Sequence, residues 1–205
     1  MPDATATPAR LYLASASPRR REILLQMGVP HEVLAVPAPP GEDEPQHEGE
    51  SASDYVVRTA FDKLQRARAW AVEQALPGLP ILSADTTVIL DGAVLGKPAD
   101  RAEAGEILGR LAGRRHEVRT AVALWTPAGI HQALSLTQVT MRAIDADEIE
   151  RYCASGEPYG KAGAYGIQGL AGAFIQRIEG SYSGVMGLPV FETAALLRHA
   201  AIQIP

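Results

Sequence analysis

Two hydrophobic periods alternate along this chain, one of strands and one of helices. Leu11-Tyr12-Leu13-Ala14 is an apolar run with the length of a short buried strand, and Ser17 before Pro18 reads as an N-cap with proline at the first helical position. The helix carrying Ile23, Leu24 and Met27 is expected to stop at Gly28, and Glu32–Val36 reads as a second strand. Val56, Val57, Ala60, Leu64, Ala67 and Ala71 recur at helical spacing, which predicts a long helix capped by Ser53 and ended by Pro77-Gly78. Strand-like runs follow at 80–84 and 86–90, and Asp91-Gly92 marks a tight turn before Ala93–Leu95. Asp100 with Glu103 opens a helix to Leu111 that stops at Gly113. Residues 116–126 and 130–144 read as strands, and Asp145 with Glu148 opens a helix ending near Ser155. After a glycine-rich stretch at 156–172, Ala173–Ile178 is strand-like and Pro189–His199 helical. Strands joined by tight turns yet interleaved with helices imply an α/β fold with a mixed β-sheet flanked by helices.

The pattern lapses at 37–53 (PAPPGEDEPQHEGESAS), whose Pro, Gly and acid content predicts a long exposed loop, the kind that is usually functional or disordered. Residues 1–9 lack a basic start and an apolar stretch, so they are expected to form a disordered tail ahead of a single catalytic domain at 10–205. The 205 residues carry 24 acidic and 19 basic side chains, a net charge of −5 that argues against a surface built for long nucleic acid. Glu42, Asp43, Glu44, Glu48, Glu50 and Asp54 fall in one stretch without Lys or Arg, so the rest of the chain is nearly balanced. No apolar run is long enough for a membrane span. A single cysteine, Cys153, excludes an intrachain disulfide and suggests a reduced, cytoplasmic setting.

Three segments carry candidate chemistry. Ala14-Ser15-Ala16-Ser17-Pro18-Arg19-Arg20-Arg21 runs from a strand into a helix start, where free N–H groups and the helix dipole bind anions. Three arginines in that first turn oppose the dipole unless an anion sits nearby. Ser83-Ala84-Asp85-Thr86-Thr87 places a carboxylate at the end of an apolar run, where it must be solvated, paired or bound to metal. Lys97 lies just past the adjacent hairpin. The third segment, Gly156–Gly169, offers five glycines, Lys161, Tyr165 and Gln168, whose amide is able to read a base edge. Lys63 reads as a surface lysine unless its helix face turns toward the acidic loop, and His116 and Cys153 read as structural.

Taken together, LYLASASPRRREILLQMG, YVVRTAFDK, ILSADTTVILDGAVLGKPAD, HEVRTAVAL, GEPYGKAGAYGIQG and GSYSGVMGLPVFETAALL resemble, in order, the motifs of the Maf family of nucleoside triphosphate pyrophosphatases. The resemblance implies two lobes with a cleft between them, in an elongated Maf/ITPase-like fold that is usually a homodimer. It also implies hydrolysis of a small-molecule nucleoside triphosphate to the monophosphate and pyrophosphate with a divalent metal, Mg²⁺ or Mn²⁺. By position, Ser15, Arg19, Arg20, Lys63, Lys97 and Lys161 would hold the triphosphate, Asp85 would be the catalytic carboxylate, and Glu44 would join Asp85 at the metal. Glu42 and Asp43 are alternatives to Glu44 in a loop lengthened by Pro37–Gly41. Ala84-Asp85-Thr86 and Ile167-Gln168-Gly169 look like the branch acting on dTTP and UTP, with Thr86 and Gln168 against the base. The alternatives are action on 7-methyl-GTP and a non-catalytic, nucleotide-binding role in cell-division control.

Overall fold

The computed structural model describes residues 10–37 and 44–204; the N-terminal tail, Glu42 and Asp43 lie outside them. Seven strands form one mixed sheet: β1 (Leu11–Leu13), β2 (His31–Val33), β3 (Ile81–Leu90), β4 (Ala93–Leu95), β5 (Arg115–Thr126), β6 (Gly129–Met141) and β7 (Ile175–Glu179), in the order β2-β1-β3-β5-β6-β7. β1 runs parallel to both β2 and β3, and all other pairings are antiparallel. The helices are α1 (Pro18–Gln26), α2 (Ala52–Glu73), α3 (Arg101–Leu111), α4 (Ala146–Ala154), α5 (Tyr182–Met186) and α6 (Val190–Leu197).

Local chemistry explains most boundaries. α1 ends in a Schellman closure, with Gly28 at φ 69° and the Val29 N–H reaching the Leu24 carbonyl at 3.0 Å, as its glycine predicts. Asp145 and Glu148 form a reciprocal capping box on α4. Asp91 and Gly92, both at positive φ, make the two-residue turn between β3 and β4. Five features differ from the sequence pattern. Ser51, not Ser53, caps α2 by accepting the Asp54 N–H, and α2 closes at Ala75 (φ 50°) rather than at Pro77-Gly78. The second strand is His31–Val33 instead of 32–36, and the five-residue α5 has too few positions to show a period. Ile81–Leu90 form one strand where two runs were expected: an aspartate in mid-strand normally breaks the pattern, but Asp85 finds a partner, Lys63, on the face of α2.

β3 organises the molecule. From Ile81 to Ile89 it pairs with β5 on one side. On the other side β1 takes Ile81 and Leu82, and β4 takes Val88 to Leu90. Between them, on this second side, Ser83–Thr87 has no strand partner among the described residues. The apolar core divides at the same place. Leu11, Ile23, Leu24, Leu82 and Leu124 pack around α1 and the start of β3, while Val88, Leu90, Leu108, Leu111, Met141 and Phe174 pack around its end. This is the two-lobed arrangement, with the break in the edge of β3 lying between the lobes.

Candidate active site

A cleft of about 590 Å³ opens on the unpaired stretch of β3. All ten candidate residues line it: Ser15, Arg19 and Arg20 from the β1–α1 junction, Glu44 from the acidic loop, Lys63 from α2, Asp85 and Thr86 from β3, Lys97 after β4, and Lys161 and Gln168 from the glycine-rich segment. Strand alternation sends Asp85 and Thr86 to opposite faces of the sheet. Both reach the same cleft because the missing strand leaves the edge open above and below them.

On the α2 face, Asp85 is 6% exposed. Its Oδ1 accepts from the Lys63 ammonium at 2.8 Å, and its Oδ2 accepts from the Thr87 hydroxyl at 3.3 Å. Lys63 also pairs with Glu44, so one ammonium joins the two carboxylates. Lys63 therefore faces the loop rather than solvent. Motif reading did not supply the residues that bring Glu44 here. The Tyr55 hydroxyl donates to the Glu44 carbonyl at 3.0 Å. Arg58 grips the Glu50 carboxylate at 2.6 and 2.8 Å and the Pro45 carbonyl at 2.9 Å, holding Glu50 well down, near a pKa of about 2. Both side chains come from the first turns of α2 and pin the loop against it. The only sequence signal was an arginine downstream of an acidic run.

The opposite wall is cationic. Ser17 occupies the N-cap of α1 but gives no side-chain hydrogen bond to it, and the first turn contains no acid. Its N–H groups thus remain available to an anion. Arg20, 9% exposed, donates to the Gly187 carbonyl at 2.8 Å, the Ser15 hydroxyl at 3.1 Å and the Thr86 hydroxyl at 3.2 Å. Much of its donor capacity is thus committed to bracing the cleft. Arg19 bonds the Met186 carbonyl at 3.3 Å. Burial lowers the pKa of Arg20, and the Arg19 charge acts in the same direction, against the pull of Asp85 and Glu44. Lys161 is likewise lowered by burial and then by Arg19, and Arg19 itself by burial. Three partly desolvated cations, with the Arg19 charge disfavouring both Arg20 and Lys161, suit a site completed by a polyanion.

Thr86 belongs to a one-way chain of hydroxyls. Thr120 donates its only hydroxyl proton to the Gly184 carbonyl at 2.7 Å. The 2.9 Å contact between the two threonines must then use the Thr86 proton. With that proton spent and Arg20 donating to its oxygen, Thr86 offers the cleft only a lone pair. Gln168 is exposed on the wall and makes no side-chain hydrogen bond among the described residues. The glycines around it serve the protein as well as any ligand: a Cβ on Gly163 would meet Val88 at 2.8 Å, and one on Gly169 would meet Glu157 at 2.4 Å.

His116 lies outside the cleft's chemistry, buried on β5 with Nε2 2.9 Å from the Tyr165 hydroxyl, and Cys153 is buried in the core. Among the described residues no group of three or more His, Cys, Asp or Glu is placed to hold a metal ion. Asp85 and Glu44 nonetheless converge on one cationic point with oxygen donors only, the donor chemistry of a hard cation that takes its remaining ligands from phosphate and water. No helix among the described residues is long and apolar enough to cross a membrane.

Comparison with known proteins agrees with the motif order. The Maf-like protein family profile matches residues 10–200. The dTTP/UTP pyrophosphatase of Bordetella pertussis is 67% identical over 207 residues, spanning 100% of both chains. That of Bordetella avium is 68% identical over 96% of this chain and 98% of its own. That of Cupriavidus metallidurans is 56% identical over 94% and 97%. Among solved structures, the Staphylococcus aureus Ham1 protein aligns with 64% of this chain and 71% of its own at a TM-score of 0.39 and 12% identity, too distant a likeness to inform the site.

Proposed function

The chain belongs to the Maf family, and from that membership we propose that it is a nucleoside triphosphate pyrophosphatase that hydrolyses dTTP and UTP to the monophosphate and pyrophosphate. The observation that carries the reading is the meeting, at one break in the edge of β3, of a Lys63-bridged carboxylate pair and a cationic wall.

A triphosphate brings about four negative charges, and its hydrolysis needs them held while pyrophosphate departs. Arg19, Lys97, Lys161 and the open N-terminus of α1 hold the phosphates, and Ser15 and Arg20 keep that wall in shape. Asp85 orients and deprotonates the water that attacks the α-phosphorus in line with the leaving pyrophosphate. Lys63 bridges Asp85 and Glu44 and offsets the repulsion between them, keeping the two carboxylates close together. Those two carboxylates would hold a divalent cation, Mg²⁺ or Mn²⁺, which when bound supplies charge neutralisation on the phosphate oxygens.

Base choice follows from hydrogen-bond polarity. Thr86, restricted to accepting, suits the N3–H of uracil or thymine, and the Gln168 amide complements a neighbouring carbonyl. Cytosine presents a bare N3 at the same place, setting one lone pair against the remaining lone pair of Thr86, the kind of mismatch that polar sites reject strongly. The reading includes a reducing, cytoplasmic setting, supported by a lone buried cysteine, and a homodimer, tested by molar mass in solution.

Pyrophosphate release from a panel of dTTP, UTP, CTP, GTP and 7-methyl-GTP with Mg²⁺ or Mn²⁺ tests the activity. Asp85→Asn should retain nucleotide binding and lose turnover by about 10³-fold or more. Wild-type turnover in that variant would remove Asp85 from its role, and preference for 7-methyl-GTP would overturn the assigned substrate.

A further inference from the structure

Gln168 has no side-chain partner within the described protein, so its place in the cleft depends on how its backbone is held. We propose that Glu157 is the positioning residue that fixes the base-reading segment, holding Gln168 where it discriminates pyrimidines. The proposal rests on Gln168 meeting the base.

Glu157 follows the last turn of α4, and its carboxylate reaches back beneath the glycine-rich segment. Oε2 accepts the Leu170 N–H at 2.9 Å, and Oε1 accepts the Ala171 N–H at 3.3 Å and the Tyr152 hydroxyl at 2.8 Å. The Tyr152 hydroxyl in turn accepts the Gly166 N–H at 3.2 Å. One carboxylate therefore ties down the chain on both sides of Gln168, through Tyr152 at Gly166 and directly at Leu170 and Ala171. The Glu157 carbonyl also accepts from the Lys161 ammonium, which adds the phosphate-binding lysine to the same anchor. Burial, reinforced by the Glu157 charge, raises the Tyr152 pKa, so the phenol stays a donor across the working pH range.

Gly169 is the complement of this anchor. A Cβ there would lie 2.4 Å from Glu157 Oε2 and 2.6 Å from Oε1, so residue 169 carries no side chain while the carboxylate keeps its seat. The glycine thus makes room for the Glu157 carboxylate. A carboxylate accepting two backbone N–H groups and a phenol is a firm local restraint. Its loss leaves the segment folded around Ala164 and Ala171, which stay in the core, while the turn carrying Gln168 loosens. A contact displaced by about 1 Å loses most of its discriminating power.

The test is steady-state kinetics on UTP and CTP for the wild type, Glu157→Gln, Gly169→Ala, their double variant and Gln168→Ala, with thermal unfolding of each. Glu157→Gln keeps the length of the side chain but replaces an accepting oxygen with an amide that opposes a donor. Gly169→Ala displaces the carboxylate and leaves its chemistry untouched. Each should lower the UTP:CTP ratio of kcat/KM by about tenfold, chiefly through KM for UTP, and the double variant should add little to either single one. A lowered melting temperature with an unchanged ratio in Glu157→Gln and Gly169→Ala would overturn the proposal and leave Glu157 a purely structural residue. If Gln168→Ala moves the ratio while those two do not, positioning by Glu157 fails and the base reading stands. If Gln168→Ala leaves the ratio unchanged, the base reading fails and the proposal falls with it.

Discussion

Acid stability should report directly on His116. The ring is 2% exposed on β5, edge-on to Tyr165 with centroids 5.6 Å apart, and its Nδ1 has no hydrogen-bond partner among the described residues. The imidazolium carries two N–H donors, and the Tyr165 oxygen is the one acceptor within reach of the ring among the described residues. Protonation would therefore leave an N–H without an acceptor, inside a desolvated pocket. Burial accordingly depresses the pKa from 6.5 to about 4. The unfolded chain takes up this proton near 6.5 and the folded chain only near 4, so His116 stabilises the fold fully above 6.5. That contribution declines as pH falls through the interval and is gone below about 4. At about 1.4 kcal/mol per pH unit the interval amounts to about 3 kcal/mol, of which about 2 kcal/mol has gone by pH 5. Against a typical total of about 5–15 kcal/mol this is a large share. His116→Gln retains a polar partner for Tyr165 and does not titrate. Urea unfolding of both proteins at pH 7 and pH 5 should show the wild type losing about 2 kcal/mol more than the variant, since every other titrating group is common to the two. Parallel losses, within about 0.5 kcal/mol, would refute the assignment of a neutral, proton-averse His116.

Two further perturbations test other parts of the structure. Arg58→Ala cuts the ties to Glu50 and Pro45 and should lower kcat/KM about tenfold by releasing Glu44, with little change in melting temperature. Asp62→Ala, which removes only an exposed helix partner of Arg58, should leave kinetics unaltered, and wild-type kinetics in Arg58→Ala would show that the loop needs no such anchor. Gly163→Ala forces a methyl group to 2.8 Å from Val88 at φ +70° and should cost about 2 kcal/mol or more in denaturant unfolding, part of it recovered by adding Val88→Ala. An unchanged unfolding midpoint would contradict that packing.

The features legible in the sequence are those whose causes are local. Asp145 with Glu148, Gly28 after α1, and Asp91-Gly92 between β3 and β4 each contain the whole reason for the structure they make. The cleft residues were legible through their motif order, although their contacts were not. Lys63 looked like a surface lysine because its partners lie 22 residues ahead in β3 and 19 residues back in the loop. Asp85 looked like a break between two strands because nothing nearby in sequence satisfies a buried carboxylate. Glu157 drew no notice among the glycines, since its role depends on the chain returning beneath it a dozen residues later. The opening in β3 was invisible for a similar reason: it arises from where β1 stops and β4 starts, two segments that lie about 80 residues apart.

That opening has a consequence for solubility. Unpaired strand edges are templates on which other chains assemble, and proteins generally blunt them. Ser83–Thr87 spans about 17 Å, and only Ala84 and Thr86 direct their peptide groups outward from it. β1 and β4 stand in the plane of the sheet at either end, so an incoming strand meets occupied positions on both flanks before it can extend. The edge is too short and too confined to seed β-aggregation, yet wide enough for a small polar molecule. The fold can therefore leave backbone hydrogen-bonding groups open toward the cleft without offering an edge on which another protein chain can assemble.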